Sequence, residues 1–462
     1  MLARVIRGYP EQPSPHAGGE VLLHVATDAP EFRVEFYRGG ASLAFCARSP
    51  WLPGRSAPSH LPFHDWGQPN VGFGGEALEP WPAYRFDIPA SWAPGVYVAM
   101  LVEGDGSGRE VGELDRRTAD AREAKALFVV RRPPGAPAAP ILYKLPLLTY
   151  HAYNVVDGAA GQWCLYTIPA PRHLPPGTPR GVNVHRPGGG TGGCPWDLHN
   201  VDPFDPTPRQ AFVHWDGPFL GWLERAGYDV DYCTDVDLHR EGAALVAPYR
   251  LLLSAGHDEY WSDAMRSAIE QHVARGGNAA FFGGNTCWWR VVFDDPSTFS
   301  RVHFWSDPDS PGEPENTLLG VSFRNGGERD RDDHPLRVGY RVQHADHWVY
   351  AGTGLRDGDE FGVEDYLVGY ECDGADFDRD APSPVVPSGL DGTPPDFTIL
   401  GIGDTRPSGW GFGNCAATMG IRETASGGTV FTGATTDWPR VLASRRCPSV
   451  ERITRNVLDA LG

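Results

Sequence analysis

The chain has 462 residues, of which 41% are hydrophobic and 11% aromatic, and it carries a formal net charge of −19. A chain of this length and hydrophobic fraction can bury the cores of about two to four domains. The strong negative charge argues against nucleic acid and against an anionic membrane surface as partners.

The amino-terminal segment and the cysteines favour a cytoplasmic protein. Residues 1–10 contain no apolar segment of the kind that directs secretion, and no later run is long enough to span a bilayer. The eight cysteines show no CxxC pair and no regular spacing. Reduced thiols in a cytoplasm are the simplest account of that pattern.

Short runs of alternating apolar and polar residues dominate the first 130 residues. They lie at residues 21–25, 32–36, 96–102 and 126–130. This pattern is typical of antiparallel strands and predicts an all-β, immunoglobulin-like sandwich domain over residues 1–135. The proline-rich segment 131–140 predicts a stiff linker at its end.

Strands and helices alternate in the second part of the chain. The strands are predicted at residues 141–148, 228–233, 249–254 and 278–282, with helices from Phe219 to Gly227, after Tyr260 with Ser262 as its cap, and at 450–461. The alternation predicts an α/β domain with a parallel sheet over residues 136–462. The irregular stretches 157–215, 294–335 and 372–415 are predicted to be long loop insertions.

Three polar segments follow predicted strands directly, namely TYHAYN at 149–154, GHDEYW at 256–261 and GGNTCWW at 283–289. A fourth, GYECD at 369–373, follows a short apolar run. Because the carboxyl ends of parallel strands meet at one edge of a sheet, we expect these segments to converge. Their carboxylate, imidazole, phenol and carboxamide groups are those of a hydrolytic or metal site.

Several of these residues also have a purely structural interpretation. Asp258 could cap a helix, Asn285 could be a turn residue, and Tyr153 could be a core aromatic. Glu371 and Asp373 could form a solvated pair on a loop. The functional interpretation is favoured for GHDEYW because capping requires one polar group, whereas this segment offers four.

Taken together, TYHAYN, GHDEYWS followed by GGNT, LVGYECD and GGTVFTGATTDW resemble the carboxyl-terminal region of the N,N-dimethylformamidase large (beta) subunit family. The resemblance covers roughly residues 141–462. It implies a β-sandwich joined to a three-layer α/β domain related to class I glutamine amidotransferases. The characterised enzyme is longer, carries an additional lectin-like region and works with a small partner subunit.

The resemblance implies hydrolysis of a formamide at a mononuclear ferric iron held by two tyrosine phenolates and one glutamate. On this chain, Tyr153 and Glu259 match two of the metal ligands, and Glu371 matches the catalytic carboxylate. His257 and Asn285 match residues that support catalysis. Hard anionic oxygen donors of this kind favour ferric iron over zinc or copper.

Three further residues, Asn154, Trp261 and Trp288, lie in the same motifs and are predicted to bind the substrate. They would place one carboxamide and two indole rings around a small molecule. Pockets of this kind combine apolar walls with a few polar groups that orient the ligand.

Two positions depart from the family pattern. The second tyrosine ligand of the family follows an Arg-Pro pair, whereas Arg186-Pro187 is followed here by the glycines at 188–190. Residues 301–306 contain no lysine where the family enzyme has an active-site lysine. The candidates for the missing ligand are Tyr150, Tyr166 and His185. With one phenolate missing, iron could be absent or replaced by another metal.

The sequence therefore predicts a metal-dependent hydrolase of the C–N bond of a small-molecule amide. One alternative is a different small-molecule enzyme, in its extreme form a cysteine amidotransferase-like enzyme that uses Cys287. Another is a catalytically silent carbohydrate- or partner-binding protein. Assembly as a homo-oligomer or with a small partner subunit is left open.

Overall fold

The computed structural model describes residues 6–40, 42–57, 81–111, 124–154, 156–158, 161–165, 181–191, 207, 209–328, 337–406, 410–411 and 413–462. Up to residue 130 its strands are β1 (Ile6–Pro10), β2 (Glu20–Thr27), β3 (Glu31–Arg38), β4 (Ala44–Arg48), β5 (Leu52–Pro53), β6 (Ala83–Asp87), β7 (Gly95–Gly104) and β8 (Lys125–Val130).

These strands form two antiparallel sheets. One has the order β1-β2-β6, and the other has the order β4-β3-β7-β8 with β5 paired to β3. Alternate residues of β2, β3 and β7 point into a shared core that includes Leu23, Val34 and Tyr97. Val98 and Leu127 face the other way and join the core of the following segment.

The second part of the chain contains the remaining elements. In chain order they are β9 (Ile141–Leu145), α1 (Leu147–Tyr153), β10 (Val156–Gly158), β11 (Gly161–Trp163), β12 (Gly181–Asn183), α2 (Asp216–Ala226), β13 (Val230–Thr234), α3 (Asp235–Glu241), α4 (Ala243–Val246), β14 (Leu251–His257), β15 (Tyr260–Ser262), α5 (Asp263–Ala274), β16 (Asn278–Gly284), β17 (Trp289–Phe293), β18 (Thr298–Phe304), α6 (Asn316–Leu319), β19 (Ser322–Glu328), β20 (Tyr340–Val342), a 3-10 turn (Trp348–Tyr350), β21 (Glu360–Phe361), β22 (Glu371–Gly374), β23 (Phe397–Asp404), β24 (Trp410–Gly411), β25 (Ala416–Glu423), β26 (Thr429–Thr432), α7 (Trp438–Ser444) and α8 (Pro448–Leu461).

A nine-stranded mixed sheet is the centre of this part, with the order β13-β9-β14-β16-β26-β25-β23-β20-β21. The strands from β13 to β26 pair in parallel, as the alternation of strands and helices predicted for four of them. The strands from β26 to β21 pair antiparallel. Two smaller sheets, with the orders β12-β18-β17-β15 and β22-β19-β24, are formed by chain segments that connect the strands of the large sheet.

The predicted fold class is wrong. The described residues do not form the predicted α/β protein with a glutamine amidotransferase-like three-layer domain, and the large sheet is mixed rather than parallel throughout. Its described residues are mostly β, in mixed and antiparallel sheets with few helices. The stretches 294–335 and 372–415, predicted as loops, contribute the strands β18, β19 and β23.

The predicted start of α5 and the predicted end of α2 are confirmed. The Ser262 hydroxyl accepts a hydrogen bond from the Met265 amide at the start of α5, as predicted. Gly227, with a φ of 83°, ends α2 in the left-handed conformation. The helix α1 was not predicted, because Pro146 ends β9 early and TYHAYN continues as a helical turn. No helix in the described ranges is both long and apolar enough to cross a membrane.

Candidate active site

The segments TYHAYN, GHDEYW and GGNTCWW converge because the strands before them, β9, β14 and β16, are paired in parallel and end on the same side of the mixed sheet. In the register of β14 and β16, His257 lies opposite Gly284, so Asn285 follows at the same level. Gly284 also brings in the fourth segment, since a Cβ there would lie 2.4 Å from the backbone oxygen of Glu371. The absence of a side chain at Gly284 thus lets β22 begin directly against the end of β16.

His257 is the centre of the resulting cluster and is fully buried. Its Nε2 lies 2.7 Å from Glu371 Oε2 and 3.4 Å from Glu259 Oε2. The Asn285 Nδ2 is 3.4 Å from the same nitrogen, and Gln210 Oε1 is 2.8 Å from Nδ1. The structure therefore brings the three predicted catalytic residues together around one imidazole ring.

The contacts of His257 require at least one proton on the pair that it forms with Glu371. With the Gln210 oxygen facing Nδ1, that nitrogen is the donor. Two lone pairs only 2.7 Å apart would repel each other, so Nε2 or the Glu371 carboxyl must hold a second proton. A group that already shares a proton is suited to proton transfer.

Tyr153 and Glu259 form the second half of the cluster. The Tyr153 hydroxyl donates to Glu259 Oε2 at 2.7 Å, and the Glu259 amide donates to the Thr149 hydroxyl at 3.0 Å. Burial raises the pKa of Glu259 to about 7, although the His257 and Tyr153 contacts oppose that shift. A carboxylate that burial destabilises in this way would be stabilised by a bound cation.

The loop that carries Asn285 is held by a buried carboxylate. Asp373 Oδ1 accepts from the Asn285 amide at 2.9 Å, and Oδ2 accepts from the Thr286 amide at 3.2 Å. Asn285 has a φ of 49°, a conformation that asparagine tolerates better than most residues. Burial raises the pKa of Asp373 to about 8 even though these two hydrogen bonds lower it.

The three predicted substrate-binding residues lie in different surroundings. Asn154 donates from Nδ2 to the Pro187 backbone oxygen at 2.6 Å. Trp261 is buried and donates from its indole to Asp258 Oδ1 at 2.9 Å. Trp288 is half-buried, with its ring 4.3 Å from that of Phe304. Contact with a substrate stays a prediction for all three.

Several residues at this site were not predicted from the sequence. Trp215 packs edge-on to His257 and stacks on Tyr370, with ring separations of 6.4 and 6.3 Å, and the Arg209 guanidinium lies 4.3 Å from the Tyr370 ring centre. Gln210 belongs to a long segment with no sequence signal. Arg301 supplies positive charge near Glu259, whose pKa it lowers, in the region where no lysine was found.

Packing bears on the glycine at position 188 and on Cys287, the nucleophile of the cysteine amidotransferase-like alternative. A Cβ on Gly188, whose φ is 87°, would lie 2.6 Å from Asn154 Oδ1, so a tyrosine there would require the backbone to move. Cys287 is completely buried, and burial raises the pKa of its thiol well above the ordinary value. That environment disfavours the thiolate required by the cysteine amidotransferase-like alternative.

The oxygen donors at this edge suit a hard metal ion. Tyr153 Oη and Glu259 Oε2 are buried and 2.7 Å apart, and the Oδ1 of Asn285 is buried without a hydrogen-bond partner. In the described ranges, no three His, Cys, Asp or Glu side chains are grouped as a metal site.

A buried ion pair fixes the backbone between His257 and Glu259. The Lys144 ammonium contacts both Asp258 oxygens, at 2.6 and 2.5 Å, and Ser254 donates to Asp258 at 2.7 Å. Lys144 and Asp258 are both buried. The carboxylate of GHDEYW that lies between the two candidate site residues thus has a positioning role.

We expect Lys144→Met to lower the free energy of unfolding by about 3–5 kcal/mol, because Asp258 would be left buried and unpaired. Urea denaturation of the purified variant measures the effect, with Lys125→Met as the matched control. Adding Asp258→Asn should recover part of the loss. Equal stabilities of wild type and Lys144→Met would show that the pair does not hold the segment.

Asp235 gives the fold a dependence on pH. Its Oδ2 accepts from the Leu148 amide at 2.8 Å at the start of α1, and burial raises its pKa to about 8 while the Lys144 charge lowers it. An unfolded aspartate titrates near pH 4, so the native state holds an extra proton between roughly pH 4 and 8. Its contribution to stability is therefore complete below that window and is lost as the pH rises through it.

Asp235→Asn keeps the acceptor for Leu148 but removes the titrating group. We expect its free energy of unfolding to fall less between pH 5 and pH 8 than that of wild type, by up to about 1.4 kcal/mol per pH unit. Urea denaturation at several pH values within this range measures the difference. Parallel curves for the two proteins would contradict the role of Asp235.

The fold and this cluster define a β-rich protein with a buried carboxylate, imidazole and phenol centre at the carboxyl ends of two interior parallel strands of a mixed sheet. Residues 32–449 match the family model "N,N-dimethylformamidase beta subunit-like, C-terminal". The chain belongs to that family, as its motifs predicted.

Two relatives carry the name N,N-dimethylformamidase beta subunit. The one from Paracoccus aminophilus is 27% identical over 300 residues, covering 55% of this chain and 38% of its own length. The one from Alcaligenes sp. is 33% identical over 91 residues, covering 19% of this chain and 12% of its own length. The matches thus span well under half of these relatives, whose names describe a subunit of a larger enzyme.

Among solved structures, the mmIFT52 N-terminal domain aligns with 52% of this chain and 86% of its own length. The sequence identity is 11% and the TM-score is 0.30. Likeness at that level does not define the fold of this chain.

Proposed function

We propose that the protein hydrolyses the C–N bond of a small-molecule amide, with formamides as its substrate class. The observation that carries the proposal is His257 Nε2, which lies 2.7 Å from Glu371 and 3.4 Å from Glu259 in a chain of the N,N-dimethylformamidase beta subunit-like family. The naming of both relatives supports an amide hydrolase as the general class.

We propose that Tyr153 and Glu259 hold a hard metal ion, with ferric iron favoured by the oxygen donors. When bound, such an ion polarises an amide carbonyl and lowers the pKa of a water molecule. The fit rests on the two buried oxygens 2.7 Å apart and on the raised pKa of Glu259.

The side chains themselves supply proton transfer and orientation. Glu371 would accept a proton from the attacking water and return it to the nitrogen of the leaving amine, which then departs as a neutral molecule. The His257 Nε2, in a ring oriented by Gln210, lies 2.7 Å from Glu371 Oε2 and would hold that carboxyl group in position for both transfers. Asn285 would orient the substrate, because its Oδ1 is buried and has no hydrogen-bond partner.

The substrate class can be tested by measuring amine release from matched formamides, acetamides and esters. We expect N-substituted formamides to be cleaved fastest, since a buried centre walled by Trp215 and Tyr370 favours a small acyl group. Faster cleavage of esters or of larger acyl amides would contradict formamides as the substrate class.

The beta-subunit names of the relatives also support a proposal about assembly. We propose that the chain works as a homo-oligomer or with a small partner subunit. Light scattering of the purified protein, expressed alone and together with a candidate small subunit, measures the mass of the assembly. A monomer that is fully active would contradict this proposal.

A further inference from the structure

We infer that a cavity beside α1 binds one small monovalent anion, with the size and charge of chloride or formate. The cavity lies where β1 and β8 of the first part of the chain meet α1 and the loop after β12. His257, Glu259, Asn285 and Glu371 do not line it. The inference therefore concerns a second site and does not depend on the proposed function.

The wall of the cavity is basic. Four residues that carry or can carry positive charge line it, namely Lys125, His151, His185 and Arg186, and its lining residues in the described chain include no aspartate or glutamate. His185, a candidate for the missing metal ligand, stacks there on Tyr9 at a centroid separation of 6.1 Å and contacts the Glu11 backbone. In the whole sequence, 59 acidic residues outnumber 40 lysines and arginines. A wall with basic and no acidic residues in so acidic a chain favours a negatively charged ligand.

Lys125 supplies a charge that an anion would balance. The other lysine of the chain, Lys144, contacts the Asp258 carboxylate at 2.5 Å. Lys125 lies on the same face of β8 as Leu127, which packs into the core of the following segment. Burial lowers the pKa of the Lys125 ammonium, and no charged group of the described chain contributes to that shift. An anion in the cavity would therefore stabilise a partly buried cation.

His151 supplies a buried nitrogen atom to the same wall. The residue is only 3% exposed, and its Nδ1 has no hydrogen-bond partner among the described residues. A Cβ on Gly189, which also lines the cavity, would lie 2.9 Å from this nitrogen, so the glycine leaves the approach to it free. Burial lowers the pKa of the ring well below its ordinary value, and the Arg186 charge adds to that shift. The neutral ring still carries one N–H, which an anion can accept without any change in protonation.

The size of the cavity limits the ligand. It leaves room for one compact group little larger than a water molecule, which is too little for a phosphate ester. Chloride and formate are compact, carry one negative charge and accept N–H hydrogen bonds. An ion bound here would also adjoin Arg186, whose guanidinium donates to the His151 backbone oxygen at 2.8 Å and so holds the end of α1.

The test is calorimetric titration of the full chain with sodium chloride and, separately, with sodium formate. The ionic strength is held constant with gluconate, an anion too large for the cavity. Wild type should bind one equivalent of at least one of the two ions, and the tighter of the two identifies the ligand. Lys125→Met should weaken that binding by about 10-fold or more, because a charge-assisted hydrogen bond is lost. Arg250→Gln is the matched control, since it removes an exposed arginine outside the cavity.

A pair of variants at His151 tests the second donor. His151→Asn keeps an N–H near the position of Nδ1 and should retain most of the affinity, whereas His151→Leu removes it and should weaken binding by about 10-fold or more. Equal affinities of these two variants would overturn the inference.

Thermal unfolding gives a further readout. The anion should raise the unfolding temperature of wild type and raise that of Lys125→Met much less. Without the anion, Lys125→Met should unfold at the same or a higher temperature than wild type, because it removes a partly buried charge. A lower temperature would indicate a structural role for Lys125 and overturn the inference. So would a wild type that binds neither ion, or a Lys125→Met variant with wild-type affinity.

Discussion

Glu259→Gln should reduce amide hydrolysis at least about 100-fold while leaving the fold intact. The substitution keeps the size of the side chain and an acceptor for the Tyr153 hydroxyl, which lies 2.7 Å away. It removes the negative charge that a hard cation requires. Losses of this size are common when a group that acts in the transition state is removed.

Metal content and turnover should be measured on the same preparation of the Glu259→Gln variant. We expect both to fall together, with unchanged circular dichroism. Glu315→Gln is a suitable control, because Glu315 is an equally buried glutamate whose carboxylate accepts from Ser322. Full metal content together with full turnover would assign Glu259 to the core rather than to the site.

Glu371→Gln should reduce turnover by about 100- to 10,000-fold, which is the range for losing a positioned acid or base. Its amide cannot take a proton from water and return it to an amine. Unlike Glu259→Gln, this variant should retain its cation, because the Glu371 carboxylate contacts His257, whereas the Tyr153 hydroxyl contacts Glu259. We therefore expect Glu259→Gln to lose its metal and Glu371→Gln to keep it.

Steady-state kinetics with metal analysis would separate these roles. For Glu371→Gln we expect a large fall in kcat with little change in KM. Rescue of the rate by added formate or acetate would support proton transfer at this position. Loss of the metal from Glu371→Gln would instead indicate that Glu371 is a metal ligand.

Much of the candidate site could be predicted from the sequence, because parallel strands bring their ends together. His257 and Asn285 follow adjacent parallel strands, and they lie within 3.4 Å of each other as that argument requires. Ser262 and Gly227 had local signals that act within a single turn. The family resemblance identified Tyr153, Glu259 and Glu371, which the structure places in one cluster.

The fold class could not be predicted in the same way. The antiparallel strands β19 and β23 lie in glycine- and proline-rich stretches whose periodicity is weak. Each also pairs with a strand far away in sequence, β19 with β22 and β23 with β20. Glu371 reaches the site by such a pairing at the start of β22, not at the end of a parallel strand. The contact of Gln210 with His257 depends on tertiary packing, which carries no local signal.

The most direct measurement of the central claim is the reaction of the iron-loaded protein with N,N-dimethylformamide in oxygen-labelled water. We expect formate and dimethylamine in equal amounts, with one labelled oxygen atom in each formate, and release of these products at least about 100-fold slower from Glu371→Gln. Folded, iron-loaded wild type that releases neither product from this or any other small formamide would contradict it. A catalytically silent binding protein would then be the better description of the chain.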